Sequence, residues 1–168
     1  QGLDGAEPGF GGKGGGHVCL VGEFGLVEGE EGRGGVYLGW EVVGADGEVR
    51  FEDHNRVKDG DATRHPEFAI AKWAVEHLSP AERALSTVYT SGEHCPMCAA
   101  AHAWVGLGRV VYAASAAQLT QWLGEWNAPP APVAGLPITT IAPGIVVDGP
   151  APELTEEMKA LYAKAFRP

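Results

Sequence analysis

The stretch T-S-G-E-H-C-P-M-C-A-A-A-H-A-W, Thr90 to Trp104, sets two thiols three residues apart at the head of a helical pattern. Pro96 suits the first turn of a helix, and the run from Pro96 to Leu107 reads as a helix stopped by Gly108. The thiol pair alone admits two readings. A helix N-terminus lowers a thiol's pKa, which suits a redox dithiol, and the same placement suits a metal ligand, because a metal needs thiolate. A second helix start weighs for the metal. His65-Pro66-Glu67 opens the run HPEFAIAKWAVEHL, with Phe68, Ile70, Ala71, Ala74, Val75 and Leu78 at mostly helical spacing. His65 supplies a nitrogen donor, and with Cys95 and Cys98 it makes a three-ligand zinc site with one open position. Glu67 lies two residues on, near the metal without binding it. A carboxylate there can take a proton from an activated water and pass it to a leaving group.

Around these two helix starts the chain alternates strands and helices. VYLGWEVV (Val36–Val43) is strand-like, and Ala45-Asp46-Gly47-Glu48 turns it into a second strand, Val49 to Glu52, to form a hairpin. Ser79-Pro80-Ala81-Glu82 holds the residues of a capping box and predicts a short helix. Ser86–Thr90 and Arg109–Ala113 read as strands, and Ser115 caps a helix through Trp122. Asn127 to Pro137 is a proline-rich surface loop. ITTI (138–141) and IVV (145–147) read as short strands. ELTEEMKALYAKAF ends the chain as an amphipathic helix with Leu154, Met158, Leu161, Tyr162 and Phe166 on its apolar side. Strand–helix alternation after a hairpin predicts an α/β fold with a mixed sheet and helices on its faces.

Residues 1–35 form a Gly-rich segment, read as loop with one short strand at Val18–Val21, and residues 36–168 form the main domain. The bulk numbers restrict function. The 168 residues fit one domain; they are 45% hydrophobic and 20% charged and carry a net charge of −10. That charge, with no basic stripe, argues against a nucleic-acid polymer as partner and leaves small neutral or cationic molecules open. Three cysteines, two of them in C-x-x-C, fit a reducing compartment better than a disulfide framework. No apolar run approaches a membrane span, and the first residues lack the apolar core of a secretory signal. The expectation is a soluble, cytoplasmic protein.

His65-x-Glu67 followed by Cys95-x-x-Cys98 resembles the H-x-E…P-C-x-x-C mark of zinc-dependent nucleobase deaminases, the cytidine-deaminase-like superfamily. Within it, Asn55 to Ala113 is similar to the free-base and nucleoside deaminases typified by bacterial guanine deaminase. Asn55-Arg56-Val57 stands ten residues before His65, where that group has an Asn that binds the base. Asp61-Ala62-Thr63-Arg64-His65 resembles its D-P-T-A-H run. Trp104, six residues after Cys98, matches an aromatic that lines the neighbouring subunit's pocket. The matches cover about a third of the chain. The resemblance implies a three-layer α/β/α fold, a homodimer, Zn2+ on His65, Cys95 and Cys98, and Glu67 as proton carrier. It also implies hydrolytic deamination of an amino-substituted base, nucleoside or related heterocycle: guanine first, then cytosine or an aminotriazine.

The departures are as informative. His94 replaces the family's proline before Cys95, either as a hydrogen-bonding neighbour of the metal or as a pocket-lining, substrate-binding group. Gly39 can stand for the glycine of the family's first strand, but no helix pattern precedes it, and Glu41 falls where an apolar residue is expected. Asn55 is read both as a base contact and as a turn residue, and Trp104 both as pocket lining and as plain packing. His102 shares the Cys98 face of its helix and reads as a satisfied structural histidine. Cys19 stands apart, Glu125 is a weak purine-contact candidate, and Trp122, Trp126 and Phe166 suit core packing or stacking on a base. Two further classes stay in view. His94 or His102 could close a four-ligand structural zinc site in a non-catalytic module, a site with no use for Glu67. A thiol oxidoreductase would instead form a Cys95–Cys98 disulfide.

Overall fold

The computed structural model describes residues 26–28, 36–57 and 60–167. The expected strand at Val18–Val21 and Cys19 lie outside them. A short strand, β1 (Leu26–Glu28), pairs antiparallel with the start of β2 (Val36–Val43), so the Gly-rich segment contributes to the sheet where a loop was expected. The hairpin forms as read. Gly47 takes φ 82°, a conformation open to glycine, at the turn into β3 (Val49–His54). On its other edge β2 runs antiparallel to β4 (Thr87–Gly92), which is parallel to β5 (Arg109–Ala114), itself parallel to β6 (Val147–Asp148). The order β3-β2-β4-β5-β6 is a mixed sheet.

Helices cover both faces, as parallel strands require. The first is α1 (Pro66–His77); a short α2 (Pro80–Leu85) follows, and α3 (Pro96–Val105) joins β4 to β5. Trp40, Val42 and Val88 of the sheet pack with Ile70, Ala71 and Ala74 of α1. Val110 and Tyr112 of β5 face Ala99 of α3. Ala113 and Ala114 at the end of β5 pack instead against the opposite layer, which holds α4 (Ala116–Glu125) and α5 (Thr155–Phe166) through Trp122, Met158 and Tyr162. The fold is thus the three-layer α/β/α arrangement expected. Among the described residues no helix is long and apolar enough to cross a membrane.

Three local expectations are corrected. Ile138–Ile141 is a single helical turn, not a strand: Pro137 precedes it, and the Ile138 amide is taken by the Glu93 carboxylate at 2.8 Å, leaving no place in the ladder. Only Val147 of the second expected strand, joined by Asp148, pairs with β5. Helix α3 ends at Gly106, in the left-handed region at φ 71°, two residues before the expected stop.

Gly108 has another use. A Cβ there would lie 2.3 Å from the Ser86 carbonyl oxygen and 2.6 Å from that of Ala84, so only glycine lets β5 start against the end of α2. Gly108→Ala is expected to cost about 3 kcal/mol by overpacking against backbone. Gly124→Ala, in α4 with nothing within 4 Å of the added carbon, is expected to stabilise by roughly 0.5 kcal/mol. Urea denaturation of the two variants checks both signs.

Candidate metal centre

The residue before the first helical position, the N-cap, usually carries Ser, Thr, Asp or Asn, whose side chain bonds a free backbone N–H. Ser79 and Ser115 do this for α2 and α4, each in a complete capping box. The N-caps of α1 and α3 are His65 and Cys95, and neither side chain makes a cap bond. They turn toward each other. His65 Nδ1 lies 3.5 Å from Cys95 Sγ and 3.6 Å from Cys98 Sγ, and the two sulfurs are 3.5 Å apart. A tetrahedral zinc with ordinary bond lengths requires about 3.8 Å between sulfurs and about 3.6 Å between sulfur and nitrogen. The donors therefore fit the ion. Among the described residues this trio is the cluster of metal-ligating side chains.

The charges suit the same role. The two thiols share a proton. The hydrogen bond with Cys98, aided by His65, holds Cys95 down to about 4, and that same bond, with burial after it, pushes Cys98 up. The contact with Cys95 raises His65 against the opposing effect of its burial. Both sulfurs sit at a helix start, where the helix dipole favours negative charge. Binding a metal would release that shared proton.

Glu67, the second residue of α1, is 6% exposed, and its Oε2 lies 3.9 Å from Cys98 Sγ. It stands beside the trio without joining it. Burial pushes its carboxyl up to about 7, with its own backbone N–H and the His65 charge pulling the other way.

The other expected residues are placed as follows. Asn55 follows β3, and its Oδ1 accepts the Val57 N–H at 3.0 Å, the turn role read from the sequence. His94 is buried and its ring packs edge-on against His102, with centroids 5.2 Å apart; burial holds both imidazoles below their usual pKa. His102 Nε2 is hydrogen-bonded to the Gly108 carbonyl at 2.9 Å, as a structural histidine would be, and neither ring joins the donor trio. Trp104 is 89% exposed on the outer side of α3, beside an open groove of about 540 Å³ that includes Leu107 and Ile141. Glu125 is on the surface, where it accepts from Gln121 and Lys159. Trp122 is core.

Two residues near the site escaped the sequence reading. Glu93 accepts from the backbone N–H groups of Ala116 and Ile138 and so ties α4 and the following loop to the residues before Cys95. Its only sequence signal is its place in the Glu-His-Cys run. Tyr162 of α5 reaches across the sheet edge: a Cβ on Gly92 would come within 2.2 Å of its hydroxyl oxygen. Burial, and after it the Glu67 charge, raises its phenol.

No protein-family model matches the chain. In sequence it is 37% identical over 89 residues to the probable cytosine deaminase of Schizosaccharomyces pombe, across 50% of this chain and 52% of that protein. It is 31% identical over 100 residues to tRNA(Ile)-lysidine synthase of Deinococcus radiodurans, across 59% of this chain and 17% of the synthase. The chain thus spans about half the length of the first relative and a small part of the second. Among solved structures, guanine deaminase from Nitrosomonas europaea superposes with a TM-score of 0.52 at 22% identity, over 76% of this chain and 71% of that one. The fold is that of the cytidine-deaminase-like proteins. The chain resembles that superfamily in sequence as well, with a cytosine deaminase among its relatives and a guanine deaminase among its structural neighbours.

If the trio holds an ion, protein loaded with zinc carries one equivalent by elemental analysis. His65→Ala and Cys98→Ala each lower that to less than a tenth at micromolar free zinc. Unchanged metal content in both variants would place the ion elsewhere.

Proposed function

We propose that this chain is a zinc-dependent aminohydrolase that deaminates an amino-substituted nucleobase, nucleoside or related heterocycle, with guanine the first candidate and cytosine or an aminotriazine next. One observation carries the reading: three donors converge at zinc spacing, and a buried carboxylate stands next to them as a non-member. A closed structural site would need a fourth donor, and His94 and His102 are turned to each other instead. A dithiol oxidoreductase would have no use for His65 or Glu67 at that spot. The similarity to deaminases supports the reaction class.

His65, Cys95 and Cys98 would hold the zinc, which supplies a Lewis acid that lowers the pKa of a water toward about 7. Glu67 does the proton work. Its carboxylate takes a proton from the attacking water as the C–O bond forms. It delivers that proton to the ring nitrogen, then takes the proton of the newly added hydroxyl and passes it to the amine, so that the C–N bond breaks with loss of ammonia and a carbonyl remains. A carboxyl buried enough to titrate near neutrality can both accept and donate at that pH. The amide of Asn55 keeps its NH2 group for the polar edge of the ring while its oxygen serves the turn. His94 acts from behind Cys95, fixing the start of α3 through its contact with His102. The groove beside Trp104 is apolar enough to be covered by a second copy, giving a homodimer in which that indole reaches the neighbouring site. The unbridged thiols suit a reducing, cytoplasmic setting.

Glu67→Gln is expected to keep zinc content and the thermal unfolding midpoint while ammonia release falls at least 100-fold. The parent is first screened against guanine, cytosine, adenine, their nucleosides and aminotriazines. A Glu67→Gln protein that releases ammonia as fast as the parent ends the mechanism. For the assembly, light scattering should give twice the chain mass for the parent and the single chain mass for Trp104→Glu; a monomeric parent refutes the dimer.

A further inference from the structure

Beside the metal centre lies a pocket of about 220 Å³ walled by Asp53, Arg56, Asp61, Arg64, His65 and Lys72, among others. His65 belongs both to this wall and to the donor trio, so the pocket adjoins the reacting centre. Its cations are built in. The side chain of Asp53 is 2% exposed and forms an ion pair with the Arg56 guanidinium, which is itself 40% exposed. The Arg56 backbone N–H donates to the Arg64 carbonyl at 3.3 Å and closes the loop that carries both residues. A buried carboxylate that fixes one edge of a five-donor fork leaves the other donors preorganised for an anion. Asp61 stays ionised, its carboxylate held by the Thr63 hydroxyl at 2.6 Å and amide at 2.9 Å, so the wall sets three cations, Arg56, Arg64 and Lys72, against the two carboxylates of Asp53 and Asp61. Lys72 adds an exposed ammonium that makes no ion pair among the described residues.

In a chain with a net charge of −10, such a pocket is a local exception in a field that otherwise repels anions. We propose that it binds the phosphate of a phosphorylated substrate, so that the heterocycle deaminated at the metal centre is presented as a nucleotide. This rests on the deaminase reading above and shifts its substrate from a free base or nucleoside to a nucleotide. Arg and Lys together match a phosphate, the Arg through paired N–H bonds and the Lys as a point charge.

The test compares kcat/KM of the zinc-loaded protein for a nucleoside, its 5′-monophosphate and a single-stranded oligonucleotide carrying the same base, using the base found active in the screen. The monophosphate is expected to exceed the nucleoside at least tenfold, and Lys72→Glu is expected to bring that ratio close to one. Arg56→Gln should do the same, but it leaves Asp53 buried without its partner, so the exposed Lys72 variant decides. A ratio near one in the parent, or a ratio unchanged by Lys72→Glu, overturns the proposal. A further gain on the oligonucleotide that is also lost in Lys72→Glu assigns the phosphate to a polymer; no gain assigns it to a mononucleotide. If no compound releases ammonia, the deaminase reading fails, and thermal unfolding with inorganic phosphate then decides the pocket. Protection of the parent and not of Lys72→Glu keeps the anion site, and no protection removes it.

Discussion

The structure turns on the meeting of two helix starts. His65 and Cys95 give up the capping bonds that Ser79 and Ser115 make elsewhere, and Cys98 completes the contact from one turn inside α3. Each missing cap costs about 1 kcal/mol, and bringing two positive helix ends together adds repulsion. A negative pair of sulfurs between those ends reverses the sign of that interaction, and a divalent cation would then bind the sulfurs. The arrangement makes structural sense only as a place where thiolate charge is wanted.

Holding it requires the two helices to stay side by side along their length. At the far end Arg83 does this. Its Nε donates to the Val105 carbonyl at the end of α3 and one terminal nitrogen to the Leu78 carbonyl after α1, both at 2.7 Å. A cation at two helix C-termini satisfies carbonyls that have no intrahelical partner and opposes both dipoles favourably. Glu93 performs the converse task on the other side of Cys95, accepting two backbone N–H groups from α4 and the loop after it. The donor trio thus lies between a cationic and an anionic tie, each made of one side chain to two backbone groups. This differs from a site carried on a loose loop, and it fits the need for donors held within a few tenths of an ångström.

What the sequence disclosed was the local part of this. Proline at the first helical position, two Ser-initiated capping boxes and the apolar period of α1 act within a few residues, and the helices they imply are present. The donor trio was legible because its residues carry a recognisable pattern. The ties were not. Arg83 reads as an exposed helix residue until the ends of α1 and α3 are brought to it from 5 and 22 residues away. Ile138–Ile141 is rich in β-branched residues and reads as a strand, yet a carboxylate 45 residues earlier takes its first amide. Gly106 and Gly108 are equivalent as letters, but one supplies a left-handed turn and the other a close approach of backbones. His94 is next to Cys95 of the donor trio in sequence, but extended backbone at Cys95 sends neighbouring side chains in different directions, and its ring meets His102 instead.

The same geometry bears on selectivity. Glu67 is buried beside Cys98, and Tyr162 of α5 lies against Gly92, at the end of the strand that leads to Cys95. Gly92 is what lets that phenol approach, since a Cβ there would come within 2.2 Å of its oxygen. Under the nucleotide proposal the phosphate would lie at the wall that His65 shares with Arg56 and Lys72, where three cations face two carboxylates. Because His65 belongs both to the donor trio and to that wall, a nucleotide bound as proposed would lie with its ring toward Glu67 and its phosphate toward Arg56 and Lys72.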